Sequence, residues 1–300
     1  MILVIGEALV DLVIDPDGAV EAVLGGAPYN TARAASRLGA DVDFAGGLSD
    51  DRFGQLLRQR LSSDGVSTRL AVATPEPTTL AAAEIDDDGA ATYRFYFHGT
   101  SAPSVGAADA ERAVGAVGVG DILFTGGLGL VLEPMAASIV DALSELDDGA
   151  LLVVDVNCRE AVSPYRAAYV DRVGAVAARA DVVKVSDEDL RYLMPALDTG
   201  DAARQLLTLG AQAVVVTAGA AHTTVVTGDD TLPGVVTPIV ALDLDLDVSG
   251  GSGPTTFFED FESQTFGAFE HENLDMGKNS MEASDGYRCP QSDPDWVNSL

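Results

Sequence analysis

Two hydrophobic patterns alternate along this chain. Near-continuous apolar runs at Ile2 to Ile5, Asp121 to Phe124, Leu151 to Val154, Asp181 to Val185 and Ala213 to Val216 predict strands buried on both faces of a parallel sheet. Helical segments fall between them, for example Glu133 to Leu146 and Tyr165 to Ala178, and strands alternating with helices build βαβ units. The segments Leu9 to Ile14, Thr79 to Ile85 and Thr92 to Phe97 alternate apolar with polar residues instead, as strands with one wet face do. Asp86-Asp87-Asp88-Gly89 reads as the turn between the last two. The pattern predicts the α/β class, with a mostly parallel sheet and a small group of half-exposed strands.

Gly25-Gly26-Ala27-Pro28-Tyr29-Asn30 interrupts these periodic segments directly before an alanine-rich helix, Thr31 to Gly39. Adjacent glycines allow positive φ and let a ligand approach without a Cβ in the way, while a helix start presents free N–H groups. An ordinary strand-to-helix turn reads the same way when it stands alone. Here it is followed by Leu48-Ser49-Asp50-Asp51-Arg52-Phe53-Gly54 and preceded by Gly6-Glu7-Ala8-Leu9-Val10-Asp11.

Those three elements, in that order and spacing, resemble the ribokinase-like family of sugar kinases. Tyr93-Arg94-Phe95-Tyr96-Phe97-His98-Gly99-Thr100 is most similar to the fructokinase and ketosugar-acid kinase branches. The resemblance implies a three-layer α/β/α sandwich whose half-exposed strands, about residues 9–15 and 79–98, form a lid over a sugar. It implies ATP and Mg²⁺ as co-substrate and cofactor and a small sugar as substrate; the exposed lid strand itself suggests a homodimer paired through the lid, since uncovered sheet edges and faces tend to be paired.

Composition narrows the alternatives. Three hundred residues, 47% of them hydrophobic, suffice for one large core or two modest ones. A net charge of −30 leaves no basic stripe to replace counterions along a nucleic-acid backbone, and argues equally against anionic membranes. Lysine occurs at Lys184 and Lys278 only, so the acidity is a solvated surface of the kind that suits high salt. No apolar run approaches a membrane span and no basic segment precedes the short apolar N-terminus, so a cytoplasmic location is expected. Cys158 and Cys289 are expected as reduced thiols.

Carried over position by position, the resemblance places substrate binding at Asp11, Gly25, Gly26, Asn30, Arg94 and Arg159. A carboxylate and an amide suit vicinal hydroxyls, and the arginines suit an anionic group. Arg159 lies in Asp155-Val156-Asn157-Cys158-Arg159 at a strand end, where open α/β sheets bind ligands. Arg94 reads equally as a surface charge on an edge strand. On the nucleotide side, Lys184-Val185-Ser186-Asp187-Glu188-Asp189 is similar to an element that orders water around Mg²⁺, with Asp189 at the carboxylate position. A serine before three carboxylates is also an ordinary helix N-cap. Thr217-Ala218-Gly219-Ala220-Ala221-His222 resembles a phosphate turn, with Thr217 and Gly219 matching and His222 in place of a glycine.

The catalytic step is where the resemblance stops. The family carries Asp-Thr-x-Gly-Ala-Gly-Asp, whose N–H groups cradle the transferring phosphate and whose last Asp takes the hydroxyl proton. This chain reads Asp247-Val248-Ser249-Gly250-Gly251-Ser252-Gly253-Pro254, with Gly250, Gly251 and Gly253 on the loop positions and no Asp at the end. Glu259 and Asp260 would stand about 9–10 Å further along a helix axis, out of reach. Residues 1–250 are thus expected as the α/β domain and 251–300 as a divergent, partly irregular acidic segment. The readings are a fructokinase-like kinase, a sugar-binding protein that has lost transfer and, a distant third, a dehydrogenase resting on Thr125-Gly126-Gly127-Leu128-Gly129.

Overall fold

The apolar runs of the sequence lie side by side. In the computed structural model, which describes residues 1–86, 91–159, 162–163, 165–219 and 223–228, the chain opens with strands β1 (Ile2–Ile5), β2 (Leu9–Ile14) and β3 (Val20–Gly25), then helix α1 (Ala27–Arg37). Next come β4 (Val42–Ala45), β5 (Gly47–Ser49), α2 (Arg52–Ser63), β6 (Val72–Thr74), β7 (Leu80–Ile85) and β8 (Ala91–Tyr96). α3 (Ala107–Val114), β9 (Ile122–Gly126), α4 (Met135–Ala142) and β10 (Leu151–Asp155) follow. The last described elements are α5 (Arg166–Ala177), β11 (Val182–Ser186), α6 (Asp187–Leu193), α7 (Thr199–Leu209), β12 (Ala213–Thr217) and β13 (Thr224–Thr227).

The large sheet runs β13-β12-β11-β10-β9-β1-β4, parallel throughout except for the antiparallel β12–β13 pair. Its two faces feed two cores. Leu3, Ile5, Leu123, Leu152, Val183 and Val214 pack with Ile139 of α4, Val173 of α5 and Leu206 of α7. Val4 and Phe44 pack on the opposite side with Tyr29 of α1 and Leu57 and Leu61 of α2. The chain leaves β1 toward β4 and then returns to β9 on β1's other side, so the crevice between the carboxyl ends of β1 and β9 is the switch point where such sheets bind ligands.

The half-exposed strands form a separate sheet ordered β3-β2-β7-β8. β1 and β2 have the bounds expected from the pattern, and the remaining buried strands shift by one or two residues. The helix expected over 133–146 starts at Met135, behind Pro134, and ends in a 3₁₀ turn at Leu143–Glu145. β3 carries no alternation in its sequence: an edge strand, four of whose six residues are exposed, is specified by pairing with β2. Asp51 joins lid to body by accepting from the Gly54 N–H at 2.8 Å, which caps α2, and from the N–H and hydroxyl of Thr78, at 2.7 and 2.6 Å, where the chain enters β7. The Asp86–Gly89 turn falls mostly outside the described residues.

Candidate active site

Register in the lid sheet decides which side chains share a face. Val23, Asp11, Ala81 and Phe95 stand opposite one another, followed on the same face by Val13, Ala83 and Tyr93. Ala22, Leu12, Ala82 and Arg94 occupy the other face. Arg94 therefore does not join Asp11; it is exposed and its Nε donates to Glu84 at 2.8 Å. The period-2 alternation of β8 sends neighbouring residues to opposite sides, and it puts Tyr93, which the sequence reading passed over, on the face of Asp11.

Asp11 accepts no hydrogen bond from the described residues, although burial pushes its carboxyl up to about 6 against the opposing pull of Arg159. Tyr93 is likewise raised to about 12 by burial, with Asp11 and Arg159 both within electrostatic reach. Gly25 ends β3 beside Asp11, and a Cβ there would collide with the Asp11 carboxylate. Gly26 has φ +111 and a Cβ on it would lie 2.8 Å from the Glu7 carbonyl. The two glycines thus serve different needs: Gly25 supplies room, and only Gly26 supplies a conformation that L residues resist.

Asn30 lies one turn inside α1 and not ahead of it. Pro28 sits early in the helix, where its missing N–H costs nothing, so the helix begins at Ala27. The Asn30 carbonyl oxygen receives a long 3.5 Å contact from Arg33, whose Nε is bound to Asp64 at 2.7 Å. Arg159 follows Asn157, a buried residue at φ +37 that turns the chain out of β10. That left-handed turn aims Arg159 toward the lid, and it explains the Asn two residues earlier better than any ligand does.

Glu7, in the loop after β1, is 2% exposed. Its two carboxylate oxygens accept from the Ala27 N–H at 3.1 Å and the Gly129 N–H at 3.0 Å. Burial outweighs those bonds and lifts its pKa to about 7.

The nucleotide-side residues gather at the carboxyl ends of β11 and β12. Ser186 and Asp189 form a capping box on α6: the Ser186 hydroxyl accepts from the Asp189 N–H at 3.0 Å and Asp189 Oδ2 accepts from the Ser186 N–H at 3.0 Å. The other Asp189 oxygen accepts from the Cys158 N–H at 2.8 Å, so both are occupied by backbone donors. Among the described residues no three His, Cys, Asp or Glu side chains converge as a metal cage. Lys184 pairs with Asp155 at 3.4 Å on one face of the sheet. The Thr217 hydroxyl makes a 3.5 Å contact with the Val185 carbonyl, and Gly219, at φ +55, has open space where a Cβ would be, a turn that a phosphate could approach. Among the described residues Cys158 takes part in no disulfide. His222, Cys289, Glu259, Asp260 and the catalytic positions Gly250, Gly251 and Gly253 lie outside the described residues, as does the segment 251–300.

With this geometry in view, the model of the pfkB family of carbohydrate kinases matches residues 1–241. The chain belongs to that family. A fructokinase from Rhizobium leguminosarum bv. trifolii is 32% identical over 227 residues, 73% of this chain and 68% of its relative. The crystal structure of a fructokinase with bound ATP from Xylella fastidiosa superposes with a TM-score of 0.68 at 28% identity, over 75% of this chain and 74% of that one. A fructokinase from Vibrio cholerae O395 in a fructose-, ADP- and calcium-bound form aligns with a TM-score of 0.66 at 25% identity, over 76% and 74%. The ribokinase-like fold expected from sequence is the fold of these kinases. No helix among the described residues is long and apolar enough to cross a membrane.

Proposed function

We propose that this pfkB-family chain binds a ketohexose such as fructose between Asp11, Gly25, Asn30, Tyr93 and Arg159, and that its lineage chemistry is ATP-dependent phosphorylation of a sugar hydroxyl. The observation that carries this reading is the Asp11 carboxylate, largely buried yet accepting no hydrogen bond from the described residues. A desolvated carboxylate is costly unless donors arrive with a ligand, and two sugar hydroxyls are such donors. Arg94 drops out of this site; Tyr93 and Arg159 stay.

Nucleotide binding is assigned to the ends of β11 and β12, around Gly219 and Thr217, with the relative crystallised with ATP as support. Mg²⁺, if used, would come with the nucleotide, and Asp189 would reach it only through water. Lys184, paired to Asp155 on the sheet face, would give the site charge and no direct phosphate contact. A second reading rests on one sequence fact: Gly253 stands where the family's Asp base is expected, which favours a sugar-binding protein without transfer.

One assay separates the two. Sugar-dependent ADP release with Mg²⁺-ATP is measured over a panel headed by fructose, beside Asp11→Ala. Release that Asp11→Ala abolishes establishes the kinase. Saturable fructose binding without release establishes the binding protein, and neither binding nor release from a folded sample defeats both.

A further inference from the structure

The start of α1 has an unusual problem. Gly26 must be glycine, because its φ of +111 and the Glu7 carbonyl 2.8 Å from a Cβ leave room for nothing else, so the N-cap position has no side chain to accept a helix N–H. The Ala27 N–H is nevertheless satisfied, by Glu7, twenty residues earlier in the chain. The second oxygen of the same carboxylate holds the Gly129 N–H in the 3₁₀ turn Gly127–Leu130 after β9. Gly127, at φ +54, brings its backbone so close that a Cβ would sit 3.0 Å from Glu7 Oε1 and 3.4 Å from the Ala27 Cβ.

We propose that Glu7 is a positioning residue that clamps the Gly26–Asn30 wall of the sugar site to the β9 turn across the switch-point crevice. This rests on the sugar-site reading above and adds to it a residue that touches no sugar. Three segments distant in sequence meet at one carboxylate: the β1–β2 loop that leads to Asp11, the helix start that carries Asn30, and the turn that lines the crevice. A solvated carboxylate would not be spent there, since full burial is costly, and the two N–H bonds plus the field of Arg159 are what hold it in place. Arg159 ties the clamp electrically to Asp11, on whose carboxyl it also acts.

The test uses the full chain and Glu7→Gln, which keeps the shape but offers one carbonyl oxygen for two N–H groups. Fructose affinity is read by titration calorimetry and backbone opening by amide hydrogen exchange, corrected for intrinsic rates, between pH 5.5 and 8.5. We expect affinity to fall at least tenfold and exchange to quicken at residues 26–31 and 127–132 while β10 to β12 stay unchanged. In the wild-type chain those two segments should also loosen as pH rises through about 7, when the buried Glu7 ionises, and in Glu7→Gln they should show no such pH dependence. Unchanged affinity overturns the proposal, as does exchange that quickens everywhere or a pH response that survives in Glu7→Gln. If the wild-type chain binds no fructose, the sugar reading fails on its own, and the exchange arm still decides the clamp. Should Glu7→Gln not fold, Glu7→Asp, one methylene shorter, is read by fructose affinity and by exchange at the two segments at a single pH.

Discussion

Asp11 and Gly25 show how a single residue can be costly and necessary together. Because folding raises the Asp11 pKa from 3.8 to about 6, its contribution to stability is fully present below its ordinary value and is lost as pH rises through 6. At neutral pH the ionised carboxylate therefore destabilises the fold, by about 2–3 kcal/mol at the usual conversion of pKa to free energy. Asp11→Asn should raise the melting temperature at pH 7.5 while removing measurable fructose binding; an unchanged affinity in calorimetry would refute the assignment. Wild-type affinity should weaken as pH falls below about 6, because a protonated Asp11 loses acceptor capacity. Gly25→Ala drives a methyl into the Asp11 carboxylate and should cost fructose affinity at least tenfold, checked by the same titration. Asp11, Gly25, Gly26 and Asn30 were legible in the sequence because a spaced motif carried them. Tyr93 and Arg94 were not separable, since a motif places residues along a chain and cannot say which side of a strand meets Asp11.

At the scale of elements, the Asp-Asp-x-Phe-Gly motif turns out to do local work. Asp51 is the N-cap of α2 and also holds Thr78 at the entrance of β7. Burial alone would raise its carboxyl, yet the Thr78, Gly54 and Ser49 donors bring it below its ordinary value. Its contribution is thus present above about pH 4 and lost as pH falls through the lowered value. Asp51→Ala removes a cap and strands the Thr78 donors, and should cost about 2–3 kcal/mol in urea unfolding. A loss below about half a kcal/mol would show the lid joint to be held elsewhere. Asp189 teaches the same lesson from the other side: the serine-and-carboxylate pattern was legible as either a metal element or a helix cap, and its two oxygens are engaged by backbone N–H groups. β3 escaped notice because an edge strand takes its conformation from a partner, here β2, and not from its own alternation.

The molecule as a whole carries a charge of −30, and like charges that are forced together on folding oppose the compact state. Raising KCl from 0.05 to about 1 M shortens the Debye length from roughly 14 to 3 Å and should raise the melting temperature by several degrees. A melting temperature indifferent to salt would mean that the acidity is already locally compensated. Two apolar side chains on the outer face of the lid, Val20 and Tyr96, are more than half exposed beside Leu12 and Leu24. Burying that face against a second copy predicts a dimeric mass in solution scattering that Val20→Glu reduces; a monomeric wild-type mass would rule the pairing out.

Hydrophobic periodicity and a few glycine-anchored motifs were enough to determine the α/β class, the mostly parallel pairing of the buried strands and the family, because burial on both faces of a sheet and positive φ at a turn leave direct marks on residue choice. The tertiary structure alone decided which face Arg94 takes, that the second Asp189 oxygen holds the Cys158 N–H, and that Glu7 closes the crevice between β1 and β9. Those outcomes depend on cross-strand register and on contacts between residues 20 to 122 positions apart, and such contacts leave no period in a one-dimensional string.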